Sequence, residues 1–95
     1  MSDYIDNLAL KLEEKIEGTM FAAEHDPDYA WLYGKLLLLS TRLSNHHWKY
    51  RQAVFNGRQR QVQQHAHAIV GLEREYHKLL RPPGALDIDI SVGTR

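Results

Sequence analysis

From Pro27 to Asn56 the chain carries no proline after the first position. Through that stretch Tyr29, Leu32, Leu36, Leu39, Leu43, His46, Tyr50 and Ala53 recur at alternating steps of three and four. Such a spacing keeps one side chain after another on a single stripe of an α-helix, the heptad pattern of helix pairing. The stretch also has a start and a stop. Asp26 suits the N-cap, Pro27 the first helical position, and Asp28 the positive end of the helix dipole. Asn56-Gly57 provides the exit. The pattern therefore predicts one helix over 27–56, spanning roughly 45 Å. Trp31, Leu38, Trp48 and Phe55 add a second apolar edge. A helix apolar on more than one side is expected at the centre of a fold, with neighbours on both sides. Its weak point is STRLSN at 40–45, rich in side chains that compete for backbone hydrogen bonds, so a bend or break is expected there if anywhere.

Two shorter helices flank it in sequence. Over 3–24, with Asp3 as the expected cap, Tyr4, Ile5, Leu8, Leu12, Ile16 and Met20 form one apolar face. Over 58–80, Val62, His65, Ile69, Leu72, Tyr76 and Leu79 repeat the heptad spacing, and RPPG at 81–84 ends the run. The short turn at Asn56-Gly57 makes the second and third helices antiparallel neighbours. Counting outward from it, Leu43 should lie opposite Gly71, Leu39 opposite Tyr76, and Leu36 opposite Leu79. The interior glycines Gly18, Gly34 and Gly71 mark either close helix approach or simple tolerance at exposed positions. The expected class is all-α: an antiparallel helical hairpin plus an N-terminal amphipathic helix, as a helical domain over 1–81. A C-terminal arm over 82–95 completes the chain. In it Leu86, Ile88, Ile90 and Val92 alternate with Asp87, Asp89 and Ser91, which reads as a β-strand.

A lone strand needs a partner for its backbone. Intersubunit pairing of the arm, the favoured reading, or its addition to a sheet edge of another protein would supply one, the alternative being a frayed, solvated tail. A 95-residue chain has a small core, and one further helix does not obviously cover a two-sided central helix. Both considerations lead to a homo-oligomer, with Leu32, Leu36, Leu39, Leu43, Leu86, Ile88, Ile90 and Val92 as candidate interface residues.

The net charge is zero, yet it is unevenly spread. Residues 1–28 hold eight carboxylates against Lys11 and Lys15, leaving −6. Residues 29–72 hold Lys35, Arg42, Lys49, Arg51, Arg58 and Arg60 and no acid, giving +6. Either the acidic helix packs beside the basic hairpin and neutralises it, or a basic surface meets an anion. The hairpin tip is the candidate for such a basic surface. Lys49, Arg51, Arg58 and Arg60 surround the turn among Trp48, Tyr50 and five glutamines. Arginine grips phosphate bidentately, and aromatic rings stack on unpaired bases. No helix-turn-helix, zinc-finger or RNA-recognition signature accompanies them.

His46, His47, His65 and His67 fall at one level of the hairpin. Adjacent residues point about 100° apart on a helix and next-but-one residues about 200°, so at most one from each pair reaches the seam. The seam pair is His46 and His65, and no metal site is expected from them. With no cysteine there is no disulfide or thiolate chemistry. Phosphate loops, nucleophile elbows and paired-carboxylate pockets are missing from the sequence, so neither an enzyme nor a cofactor is expected. No apolar run reaches the roughly 20 residues that span a bilayer, and the acidic start is unlike a signal peptide, which makes the cytoplasm the expected location.

The functional expectation is a non-enzymatic homo-oligomeric assembly or adaptor protein that handles DNA or RNA, or a nucleic-acid machine. Small helical oligomers with basic loops and arms occur among viral packaging, replication and recombination accessories, an analogy of architecture alone. The alternative is a protein-binding regulator or inhibitor that docks through the acidic helix or the arm without touching nucleic acid.

Overall fold

A computed structural model describes residues 2–80 of the chain. They form three helices: α1 (Ser2–Ala23), α2 (Pro27–Phe55) and α3 (Gln59–Leu80). The described residues are all-α and contain no strand. The arm, with the expected strand residues Leu86, Ile88, Ile90 and Val92, lies outside the described residues.

The local signals at 26–28 fold as the sequence dictates. Asp26 is the N-cap of α2, its carboxylate accepting a hydrogen bond from the Asp28 amide at 2.9 Å, with Pro27 in the first turn. At the far end Asn56 caps α2, and Gly57 takes a left-handed φ of 67° that suits glycine. Asp3, expected as a cap, lies inside the first turn of α1, where a carboxylate still meets the positive end of the helix. The expected bend at 40–45 does not break the helix. Thr41 Oγ1 donates to the Leu37 carbonyl at 3.0 Å, and Ser44 and Asn45 are exposed to water.

α2 is the central helix, packed against α1 along one flank and α3 along the other. One core joins all three: Ile5, Leu8 and Leu12 from α1, Leu36, Leu39 and Leu43 from α2, and Ile69, Leu72 and Tyr76 from α3. The cross-links His46–His65 and Arg42–Glu75 make α2 and α3 antiparallel neighbours. α1 and α3 meet along a shorter line. There Tyr4 donates to the Glu73 carboxylate, the Tyr76 hydroxyl donates to the Lys11 carbonyl at 3.4 Å, and Lys11 pairs with Glu73 at 3.9 Å. Burial and the neighbouring Glu73 carboxylate push the Tyr4 hydroxyl up to about 12, so it stays a donor at any ordinary pH.

Two expected core positions differ. Met20 is 52% exposed, and Thr19 is buried in its place. Its hydroxyl is satisfied by the Lys15 and Ile16 carbonyls at 2.9 and 3.2 Å, so it enters the core without an unmet hydrogen bond. Tyr29 is exposed in the first turn of α2, beyond the packed cluster. Space is open around the Cβ positions of Gly18, Gly34 and Gly71, so these glycines mark tolerance and not close approach.

Candidate nucleic-acid interface at the hairpin tip

The helix that starts at Asp26 runs well past the packed cluster before it turns at Gly57. The end of the α2–α3 hairpin is consequently narrow, and its polar side chains stand out on both helices. Between them lies an open groove of about 360 Å³ whose lining includes Trp48, Lys49, Gln52, Arg58, Gln61 and Gln64. No carboxylate lines it. Trp48 is 63% exposed, a ring face free to stack.

The four basic candidates are all exposed, but they do not share one site. Lys49 on α2 and Arg58, just before the start of α3, line the groove from opposite sides of the turn. Arg51 follows Lys49 by two residues, about 200° round the helix, and faces away. Arg60 lies outside the groove lining as well. The glutamines contribute neutral donors and acceptors, which recognise polar groups without regard to charge.

His65 is part of the groove lining, and there the seam histidines meet. His46 Nδ1 and His65 Nδ1 are 3.0 Å apart. At that distance one ring must donate and the other accept, so the pair holds at most one of the two shared-site protons without repulsion. Burial first, then His65, Lys49 and Arg42, lowers the His46 pKa below its ordinary 6.5. The sign follows from linkage. The fold prefers neutral His46, so the unfolded chain binds more protons below that ordinary value. Stability is complete above it and is lost as pH falls beneath it. Of the other two histidines, His47 is half-buried and His67 exposed. Among the described residues no group of three or more His, Asp or Glu side chains is placed to hold a metal ion.

The candidate interface leucines sit elsewhere. Leu36, Leu39 and Leu43 are covered by the chain's own helices, and Leu32 is half-buried beside them. What stays open on α2 is the second edge: Trp31 is 59% exposed, Leu38 44% and Phe55 87%. The sequence showed this edge as apolar. It did not mark the groove that Trp31 and Leu38 line with Lys35, Arg42, Lys78 and Leu79 between α2 and α3. The helical angles of those residues were the available signal.

The expected neutralisation of an acidic helix by a basic hairpin does not occur through close pairs. Among the described residues the two ion pairs are Lys11–Glu73 and Arg42–Glu75, and neither uses a carboxylate of α1. Asp3, Asp6, Glu13, Glu14, Glu17 and Glu24 are all exposed.

The fold and the tip thus define the chain as an all-α three-helix domain with a basic, aromatic hairpin end. No protein-family model, curated protein or solved structure matches it. No helix among the described residues is long and apolar enough to cross a membrane.

Proposed function

We propose that the protein is a non-enzymatic, homo-oligomeric assembly or adaptor protein of the cytoplasm that contacts DNA or RNA through its hairpin tip. Accessories of viral packaging, replication or recombination are the kind of protein it would stand among. One observation carries the reading: a groove lined by Lys49, Arg58, exposed Trp48 and glutamines, with no carboxylate in its lining. Phosphate binding by a few cations is weak in one copy and strengthens when copies act together. The test is Lys49→Ala with Arg58→Ala, read by fluorescence anisotropy against labelled single strands and duplexes over a salt series. Loss of two phosphate contacts should shrink the slope of log K against log salt by about 1.4 on single strands and about 1.8 on duplexes. Helix content should be unchanged. Equal binding by the double variant and the parent refutes the reading.

A second reading has its own support. The exposed α1 carboxylates, unpaired with any α2 or α3 base, suit a regulator that docks on a basic protein without touching nucleic acid. It gains ground if the parent binds neither strand form at low salt.

A further inference from the structure

The outer faces of α1 and α2 carry matching patterns of opposite sign. On α1, Asp6, Leu10, Glu13, Glu17 and Phe21 follow one another at steps of three and four, on the side turned away from the core residues Ile5, Leu8 and Leu12. Leu10 is 53% exposed and Phe21 73%. On α2, Trp31, Lys35, Leu38 and Arg42 follow at the same steps and line a groove of about 290 Å³ against α3, where Lys78 and Leu79 form the opposite bank. Lys35 Nζ stands 5.6 Å from the centre of the Trp31 ring, which holds cation and ring together on the surface. Glu75 is the one carboxylate in that lining, 3.7 Å from Arg42. Lys35 and Arg42 are seven residues apart, about 10.5 Å along the helix, and so are Asp6 and Glu13.

We infer that the acidic outer face of α1 from a second copy of the chain seats in the basic α2–α3 groove, with its apolar side chains against Trp31 and Leu38 and its carboxylates against Lys35, Arg42 and Lys78. Charge complementarity selects this occupant. The groove's own α1 already has its other face on α2, and its carboxylates make no close ion pair with α2 or α3. Every copy therefore offers one acidic stripe and one basic groove. A contact between two different surfaces of the same chain is heterologous, and it closes into a ring or continues as a filament. The hairpin tip with Trp48 and Arg58 lies at the other end of α2 and stays open in either case. The inference rests on the homo-oligomer in the proposed function and supplies its contact.

Three variants test it by sedimentation velocity across a concentration and salt series, with helix content followed by circular dichroism. Lys35→Glu with Arg42→Glu reverses the groove; Glu13→Lys with Glu17→Lys reverses the stripe; the third chain carries all four changes. All four side chains are exposed. The parent should associate at micromolar concentration and dissociate as salt rises. Each double variant should raise the dissociation constant at least tenfold, and the four-fold variant, with its net charge again zero, should recover most of the parent's association. A parent that assembles while both double variants assemble equally well overturns this contact and leaves the homo-oligomer standing. A parent that is monomeric throughout overturns both. Assembly that appears only on removing residues 81–95 would mean that those residues fill the groove, and it also overturns the contact.

Discussion

Leu36 and Leu38 are the same side chain two residues apart on α2, and truncating each measures what the three-helix core contributes. Leu36 has no exposed surface and lies in the cluster shared by all three helices, whereas Leu38 is 44% exposed on the outer edge. Leu36→Ala removes apolar atoms from a site walled on several sides, where the neighbours cannot all close in. A cost of about 3 kcal/mol is expected, inside the range of about 2–5 for buried leucine truncations. A domain of this length holds only about 5–14 kcal/mol in total. The loss should therefore lower the thermal midpoint by about 12–24 °C, at about 4–8 °C per kcal/mol. Leu38→Ala forfeits a smaller burial and should cost the isolated chain under about 1 kcal/mol. Urea unfolding followed by circular dichroism is the assay, run at low protein concentration so that association adds nothing to the midpoint. A cost below about 1 kcal/mol for Leu36→Ala, or equal costs at the two positions, would refute the placement of the core between the helices.

Acidification should weaken the fold through the histidine pair: as pH falls below about 6.5 the unfolding midpoint should drop, and His46→Gln should flatten that dependence. Identical pH profiles for the two chains would remove His46, with its lowered pKa, as the cause. At the α1–α2 turn, Asp26→Ala takes away the acceptor for the Asp28 amide and should cost about 1 kcal/mol in the same urea assay. Asp26→Asn, which keeps the acceptor, should restore most of it.

Much of the fold is legible because its signals are local. The Asp26-Pro27 start and the Asn56-Gly57 turn need only neighbouring residues, and they set the length of α2 and its antiparallel pairing with α3. The alternation of three and four along Leu32, Leu36, Leu39 and Leu43 keeps to one stripe, and three of the four are buried. The misread position in α1 shows the limit of stepping along a pattern. Steps of four from Leu12 to Ile16 to Met20 each advance about 40° beyond a full turn, so the track drifts off the core. Thr19, three residues after Ile16, returns to it, and a search for apolar side chains passes over a threonine. The tip was only partly legible for a related reason. Lys49, Arg51, Arg58 and Arg60 are close in sequence, but the helix turns Lys49 and Arg51 to opposite sides, and only the relative placement of two helices decides which cations share a groove. Periodicity gives a stripe and not the identity of what covers it. The seam leucines could equally have met another copy or the chain's own α1.

The same geometry bears on what the segregated charges do. An acidic α1 beside a basic α2 invites the reading that the two neutralise each other. Ile5, Leu8 and Leu12 of α1 share one core with Leu36, Leu39 and Leu43 of α2, and an apolar core of this kind turns the charged side chains of each helix outward. Among the described residues no carboxylate of α1 then forms an ion pair with a base of α2 or α3. Attraction between exposed charges falls off over about 8 Å at physiological ionic strength, so attraction across the pair of helices is weakened in salt. A carboxylate and a lysine that meet directly, at about 4 Å and partly shielded from water by Trp31 and Leu38, interact far more strongly. The charges on this chain are therefore worth more at contact with another molecule than within the fold, and the apolar seam that stabilises the fold is what keeps them available.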